Sequence, residues 1–286
     1  MKHKTWVTWA LAALAVVAVA FNFVRPHISL PAAPVVAQPE PAEEEPVEEE
    51  PVVMPSEEQV AEQKQTMSDH FTWAVVGDSL TEKNYRAATS YYDYVSEAFD
   101  CSVLNYGASG AGYKAYGSNV PFYELVEWID LDGVDVLTVF GSFNDLGKGY
   151  ALGTAYDTGT DTIGGCMVST IEYLRMESPS LRIGIATPLR WPTGFAFDEN
   201  GYALPGGTTR EECDAYVALL KQVAARYGLP VLDLYTLCPL DPDDPEVRAT
   251  YYTEDGVVDE DGVHPNSEGH RLMYRYWRDF LASAMS

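Results

Sequence analysis

The chain has 286 residues, enough for one or two domains with a sizeable core. Forty-three Asp and Glu face only 18 Lys and Arg, a formal net charge of -25. That balance excludes a phosphate-backbone binder, which needs clustered cations, so no nucleic-acid partner is expected. It favours a self-repelling body acting on neutral or cationic substrates.

The first element is apolar. Lys2 and Lys4 precede a run from Trp6 to Val24 broken only by Thr8 and Asn22. At about 1.5 Å per residue, such a run just crosses a hydrocarbon core of about 30 Å. Lysines ahead of it favour a cytoplasmic N-terminus and an exported remainder. Ala18-Val19-Ala20 also matches an A-x-A cleavage site. Residues 1–30 therefore read either as an uncleaved membrane anchor or as a removable signal peptide. Both readings place the rest outside the cytoplasm, anchored to the membrane in the first case and secreted in the second. Residues 31–68 are rich in Pro and Glu, including Glu43-Glu44-Glu45 and Glu48-Glu49-Glu50. Prolines block regular structure and like charges repel, so an extended, disordered linker is expected there. The folded domain is assigned to residues 69–286.

Within that domain strand and helix signals alternate. Thr72 to Val76 reads as a strand that ends in Gly-Asp-Ser, and Tyr85 to Phe99 as a helix. Ser102 to Tyr106 and the apolar run Val134 to Phe140 are the next strands. Thr160 to Met176 reads as a helix, Leu181 to Ala186 as a strand. Thr209 to Tyr227 is a helix with Glu211 and Glu212 in its first turn and Gly228 as its stop. Pro230 to Leu234 is a strand, and Asn266 to Ala284 a closing amphipathic helix. This alternation means βαβ units, hence an α/β fold with a parallel sheet between helical layers. Ligands in such folds sit beyond the carboxyl ends of the strands.

The chemically suggestive residues fall at those ends. Ser79 follows the first strand, where a turn can present its hydroxyl to a pocket. A serine hydroxyl becomes a nucleophile only when a base takes its proton. His264, in Asp261-Gly262-Val263-His264-Pro265-Asn266, supplies an imidazole, whose unperturbed pKa near 6.5 suits proton transfer near neutrality. Asp261, three residues earlier, can reach the ring's other nitrogen and fix its tautomer. A tetrahedral intermediate also needs hydrogen-bond donors, each worth roughly 3 kcal/mol. Gly107, in Asn105-Tyr106-Gly107-Ala108-Ser109-Gly110, can offer a backbone N–H, and Asn144, in Gly141-Ser142-Phe143-Asn144-Asp145, a side-chain amide. Taken singly, each has a plain reading as a turn or cap.

Together, and in this order, these segments resemble the blocks of the GDSL, or SGNH, hydrolase family over residues 72–284. The resemblance implies a flavodoxin-like three-layer α/β/α sandwich and ester hydrolysis without a cofactor. It implies Ser79 as nucleophile and backbone oxyanion donor, Gly107 and Asn144 as further donors, and Asp261 and His264 as the rest of a triad. The third block departs from the usual Gly-x-Asn-Asp. Ser142 stands two residues before Asn144, with bulky Phe143 between them, which leaves the local backbone and the acyl pocket open.

The expected substrate is a small ester or acylated glycan, with O-acetyl or other short-acyl groups ahead of lipid esters. Tyr113, Phe143, Trp191 and Phe195 are aromatics that can line a site or fill the core. Two other classes remain: a catalytically inactive glycan-binding module, and a metal-dependent hydrolase using Asp78, Asp145, Asp261 and His264. No H-x-H or HExxH spacing supports the latter. Cys101, Cys166, Cys213 and Cys238 form no C-x-x-C pair. They can be buried thiols or, in an exported domain, disulfides, with Cys213–Cys238 the preferred pair because both sit near strand-end loops expected on one side of the sheet. His270 is expected at the surface. Oligomeric state is not legible in the sequence.

Overall fold

The computed structural model describes residues 70–83, 87–114, 119–197, 203–205, 207–254, 257–258 and 262–285. The anchor or signal segment and the acidic linker lie outside the described residues, as does Asp261. Among the described residues, no helix is long and apolar enough to cross a membrane.

Five parallel strands form the central sheet: β1 (Thr72–Gly77), β2 (Ser102–Gly107), β3 (Val136–Phe140), β4 (Arg182–Ala186) and β7 (Val231–Leu232), in the order β2-β1-β3-β4-β7. All four pairings are parallel. These are the five strands expected from the apolar runs. Chain order reverses between β1 and β3, since β2 lies to one side of β1 and β3 to the other. That reversal opens a crevice between their carboxyl ends.

Period-two alternation sends neighbouring side chains to opposite faces. From β1, Ala74 and Val76 enter one core with Leu137 and Val139 of β3. Trp73 and Val75 enter the other with Val136 and Phe140. Three helices pack on the first face: α2 (Phe122–Leu125), α3 (Ile163–Glu177) and α4 (Arg210–Arg226). Two cover the second: α1 (Tyr91–Phe99) and α7 (Ser267–Met285). The result is helices on both faces of one parallel sheet, as expected for an α/β/α sandwich.

Polar contacts tie the second layer together. The Trp73 indole N–H donates to Thr138 Oγ1 at 2.8 Å, both buried. Tyr91 stacks on Trp277 of α7 at 5.1 Å and bonds Thr81 through its hydroxyl at 2.9 Å. His270, expected at the surface, is buried here. It stacks on Tyr91 at 5.9 Å, and its Nδ1 accepts from Tyr91 N–H at 3.2 Å. Its place on the inner face of an amphipathic helix, not its polarity, decides its burial.

Local chemistry sets the helix ends. Helix α1 begins at Tyr91 rather than Tyr85, because Ser90 N–H is taken up by the Asp93 carboxylate at 2.9 Å. Thr209 and Glu212 exchange such bonds at the start of α4, and Thr162 Oγ1 accepts from Gly165 N–H at the start of α3. Short elements fill the connections: hairpin β5–β6 (Phe195–Phe197, Ala203–Pro205), α5 (Leu234–Leu237), α6 (Pro245–Tyr251) and ribbon β8–β9 (Thr253–Glu254, Val257–Val258).

All four cysteines are buried free thiols. The preferred Cys213–Cys238 disulfide is corrected by the layering. Cys213 sits with Cys166 in the core on one face of the sheet, and Cys238 with Cys101 in the core on the other.

Candidate active site

The site is built where β1 turns. Gly77 leaves no room for a side chain, because an added Cβ would lie 2.2 Å from Thr81 Oγ1. The next turn closes through Thr81 and Glu82 N–H groups donating to Asp78 O at 3.0 and 2.9 Å. This places Ser79 at the carboxyl edge of the sheet, only 8% exposed. Its Oγ lies 2.8 Å from His264 Nε2, with the imidazole also 8% exposed. Residues 185 positions apart in sequence thus meet as a buried hydroxyl–imidazole pair.

The residues on the C-terminal side of His264 hold it in place. Asn266 N–H donates to Tyr251 O at 2.7 Å, and the Asn266 amide donates to Thr250 O at 2.9 Å, fixing the loop to α6. Asn266 Oδ1 then accepts from Gly269 N–H at 2.9 Å in the first turn of α7. Before the histidine, Gly262 takes φ +64°, a left-handed bend that suits glycine.

The third-block loop crosses the crevice. Asn144 Nδ2 donates to Ala111 O at 2.9 Å and approaches Asp78 Oδ2 at 3.4 Å. One amide hydrogen is therefore fixed, while the other has only a long contact. The Asp78 carboxylate accepts from Leu80 N–H at 2.9 Å and from Ser142 Oγ at 2.5 Å. Burial pushes its pKa up, against the opposing pull of the Ser142 and Leu80 bonds and of nearby His264. Asp145 turns away, accepting from the Tyr113 and Lys114 N–H groups at 2.9 and 3.0 Å. Asp78 and Asp145 of the metal-hydrolase alternative are thus engaged in ordering loops. Among the described residues, no three potential ligand side chains gather.

Gly107 N–H, expected to face the oxyanion, has an internal partner. Its N–H donates to Asn105 Oδ1 at 2.8 Å, while Asn105 Nδ2 donates to Thr81 O at 2.8 Å. A Cβ on Gly107 would lie 2.2 Å from Glu82 N, so this glycine lets the nucleophile turn pack against β2. Three residues on, Gly110 takes φ +72° beside Ala111, the residue that holds the Asn144 amide. Among the described residues, its N–H makes no hydrogen bond. The segment Gly107-Ala108-Ser109-Gly110 carries two glycines.

Aromatic candidates fall mostly in the core. Phe143 is fully buried, with Trp191, Tyr216 and Tyr235 rings 5.3 to 5.8 Å away. Tyr113 is fully buried against Phe122. The Phe195 side chain lies outside the described residues.

Residues 75–272 match the GDSL-like lipase/acylhydrolase family. The chain belongs to that family. Membership in this family suggests hydrolase activity. A solved structure of a protein from Lactobacillus plantarum is 26% identical, with TM-score 0.63 over 74% of this chain and 97% of that one. A possible lipase from Chitinophaga pinensis is 20% identical, with TM-score 0.59 over 75% and 99% of the two chains. A carbohydrate acetylesterase family member from Sinorhizobium meliloti is 14% identical, with TM-score 0.50 over 75% and 99%. At these identities the last two show likeness of fold alone. No curated protein matches the chain.

Proposed function

We propose that the chain is an extracytoplasmic serine esterase that removes short acyl groups, O-acetyl above all, from carbohydrate or cell-envelope glycan. The buried contact of Ser79 Oγ with His264 Nε2 at 2.8 Å carries the reading. With Nε2 unprotonated, the hydroxyl donates to it, the arrangement a general base needs.

In this mechanism His264 takes the Ser79 proton as Ser79 attacks the ester carbonyl. Asp261 orients the imidazole and stabilises its charged form. The oxyanion is received by Ser79 N–H and the second Asn144 amide hydrogen. Gly110 N–H replaces Gly107 N–H as the third donor, since the latter is held by Asn105. His264 returns the proton to the leaving alcohol, and water then repeats the cycle on the acyl-enzyme.

The apolar run Trp6 to Val24 and the acidic linker support an exported catalytic domain, and export favours polymeric envelope substrates over cytosolic thioesters. A panel of acetyl, butyryl and long-chain p-nitrophenyl esters, followed by acetylated xylan and peptidoglycan, tests the assignment. Highest kcat/KM on acetyl esters with acetate release from a glycan is expected. Preference for long-chain esters would make it a lipase, and no turnover with measurable glycan binding would make it a binding module.

A further inference from the structure

Ser142 occupies the turn after β3, at the position where the third block departs from glycine. It is 1% exposed, with extended backbone at φ -136° and ψ 137°. A hydroxyl has one hydrogen to give and lone pairs to receive. Both capacities are used across the crevice: Oγ donates to Asp78 Oδ2 at 2.5 Å and accepts from Asn144 N–H at 3.1 Å. One atom thereby ties the turn that bears Ser79 to the turn that bears Asn144. Their parent strands are hydrogen-bonded neighbours.

The distances rank the competitors for Asp78 Oδ2. The hydroxyl holds it at 2.5 Å, while Asn144 Nδ2 stands off at 3.4 Å. A short bond to a carboxylate is strong, whereas one near 3.4 Å is marginal. Without the hydroxyl, Asp78 Oδ2 would keep only the amide as a side-chain partner among these contacts, and Asn144 N–H would lose its acceptor. A buried carboxyl left so poorly satisfied would draw in the amide, turning its second hydrogen away from a developing oxyanion.

We propose that Ser142 is a positioning residue, whose hydroxyl satisfies Asp78 so that the Asn144 amide stays available to the oxyanion. The proposal rests on the serine-esterase reading. Because the oxyanion exists only along the reaction path, the effect falls on kcat rather than KM.

The test is a double-mutant cycle on p-nitrophenyl acetate, with fluorophosphonate labelling of the wild type alongside. Ser142→Ala is expected to lower kcat about 10-fold or more with KM within about threefold. Ser142→Thr keeps the hydroxyl, suits the extended backbone, and is expected to restore kcat to within about threefold of wild type. In the Asn144→Ala background, Ser142→Ala is expected to cost less than about threefold, because the group it positions is gone. Ser142→Gly replaces Ser142→Ala in the cycle if the latter fails to fold. Losses that multiply, or a kcat unchanged by Ser142→Ala, overturn the proposal while an active, labelled wild type leaves the esterase reading standing. A wild type that neither labels nor turns over any ester overturns both.

Discussion

Gly107 N–H donates to Asn105 Oδ1 at 2.8 Å, and the same side chain donates to Thr81 O at 2.8 Å. Asn105 is thus a clamp between β2 and the nucleophile turn, and Gly107 is the place where that turn packs. Asn105→Ala is expected to cost about 0.5–1.5 kcal/mol in urea unfolding, the usual net worth of such hydrogen bonds. A rise in kcat would contradict the account, because it would mark Asn105 as blocking a donor the reaction needs.

Asp78 is buried beside the nucleophile, and burial raises its pKa. A carboxyl whose folded pKa exceeds its unfolded value contributes stability only while protonated. That contribution is lost as pH rises from the ordinary value of 3.8 through the raised one. Asp78→Asn removes the ionisation, so its stability relative to wild type should improve from pH 4 to pH 7. Denaturant midpoints at the two pH values measure this, and a difference independent of pH would show that Asp78 does not carry the cost.

Phe143 is the bulky residue of the third block, where acyl preference stood open in the sequence. Its full burial among Trp191, Tyr216 and Tyr235 makes it a core anchor. Phe143→Ala should destabilise by about 3–5 kcal/mol, whereas Phe143→Leu should retain the wild-type ratio of acetyl to butyryl turnover. A Leu variant with inverted chain-length preference would place Phe143 against the acyl group instead.

Burial pushes the thiol pKa of Cys101 to about 11 and those of Cys166, Cys213 and Cys238 to about 12. Thiols so placed are protonated and shielded at neutral pH. Iodoacetamide should modify none in the native protein and all four in urea without reductant. A native mass that rises on reduction would reveal a disulfide.

β1, β3 and β4 were legible because each is a short apolar run buried on both faces, a pattern that period and length convey, whereas β2 is a part-exposed edge strand. Ser79, His264 and Asn144 were legible because each sits at a strand end or before the last helix, and the fold brings their loops to one edge. What escaped depended on partners distant in sequence. Nothing in Asn105-Tyr106-Gly107 announces that Thr81 will reach across to Asn105. The sides taken by Cys213 and Cys238 follow from strand register and helix direction, not from their neighbours in the chain. His270 looked polar enough for the surface, but Tyr91, from the first helix, supplies the stacking ring and the N–H that make its burial tolerable. The Ser142–Asp78 bond spans 64 residues, so a departure from the family pattern gained its meaning only in three dimensions.

The central claim is that Ser79, paired with His264, is a nucleophile. Fluorophosphonate labelling followed by peptide mapping tests it most directly. The account predicts one adduct, on Ser79, absent from Ser79→Ala and strongly reduced in His264→Ala, with loss of p-nitrophenyl acetate turnover in step. Labelling at another residue, or full turnover by a folded Ser79→Ala variant, would contradict it.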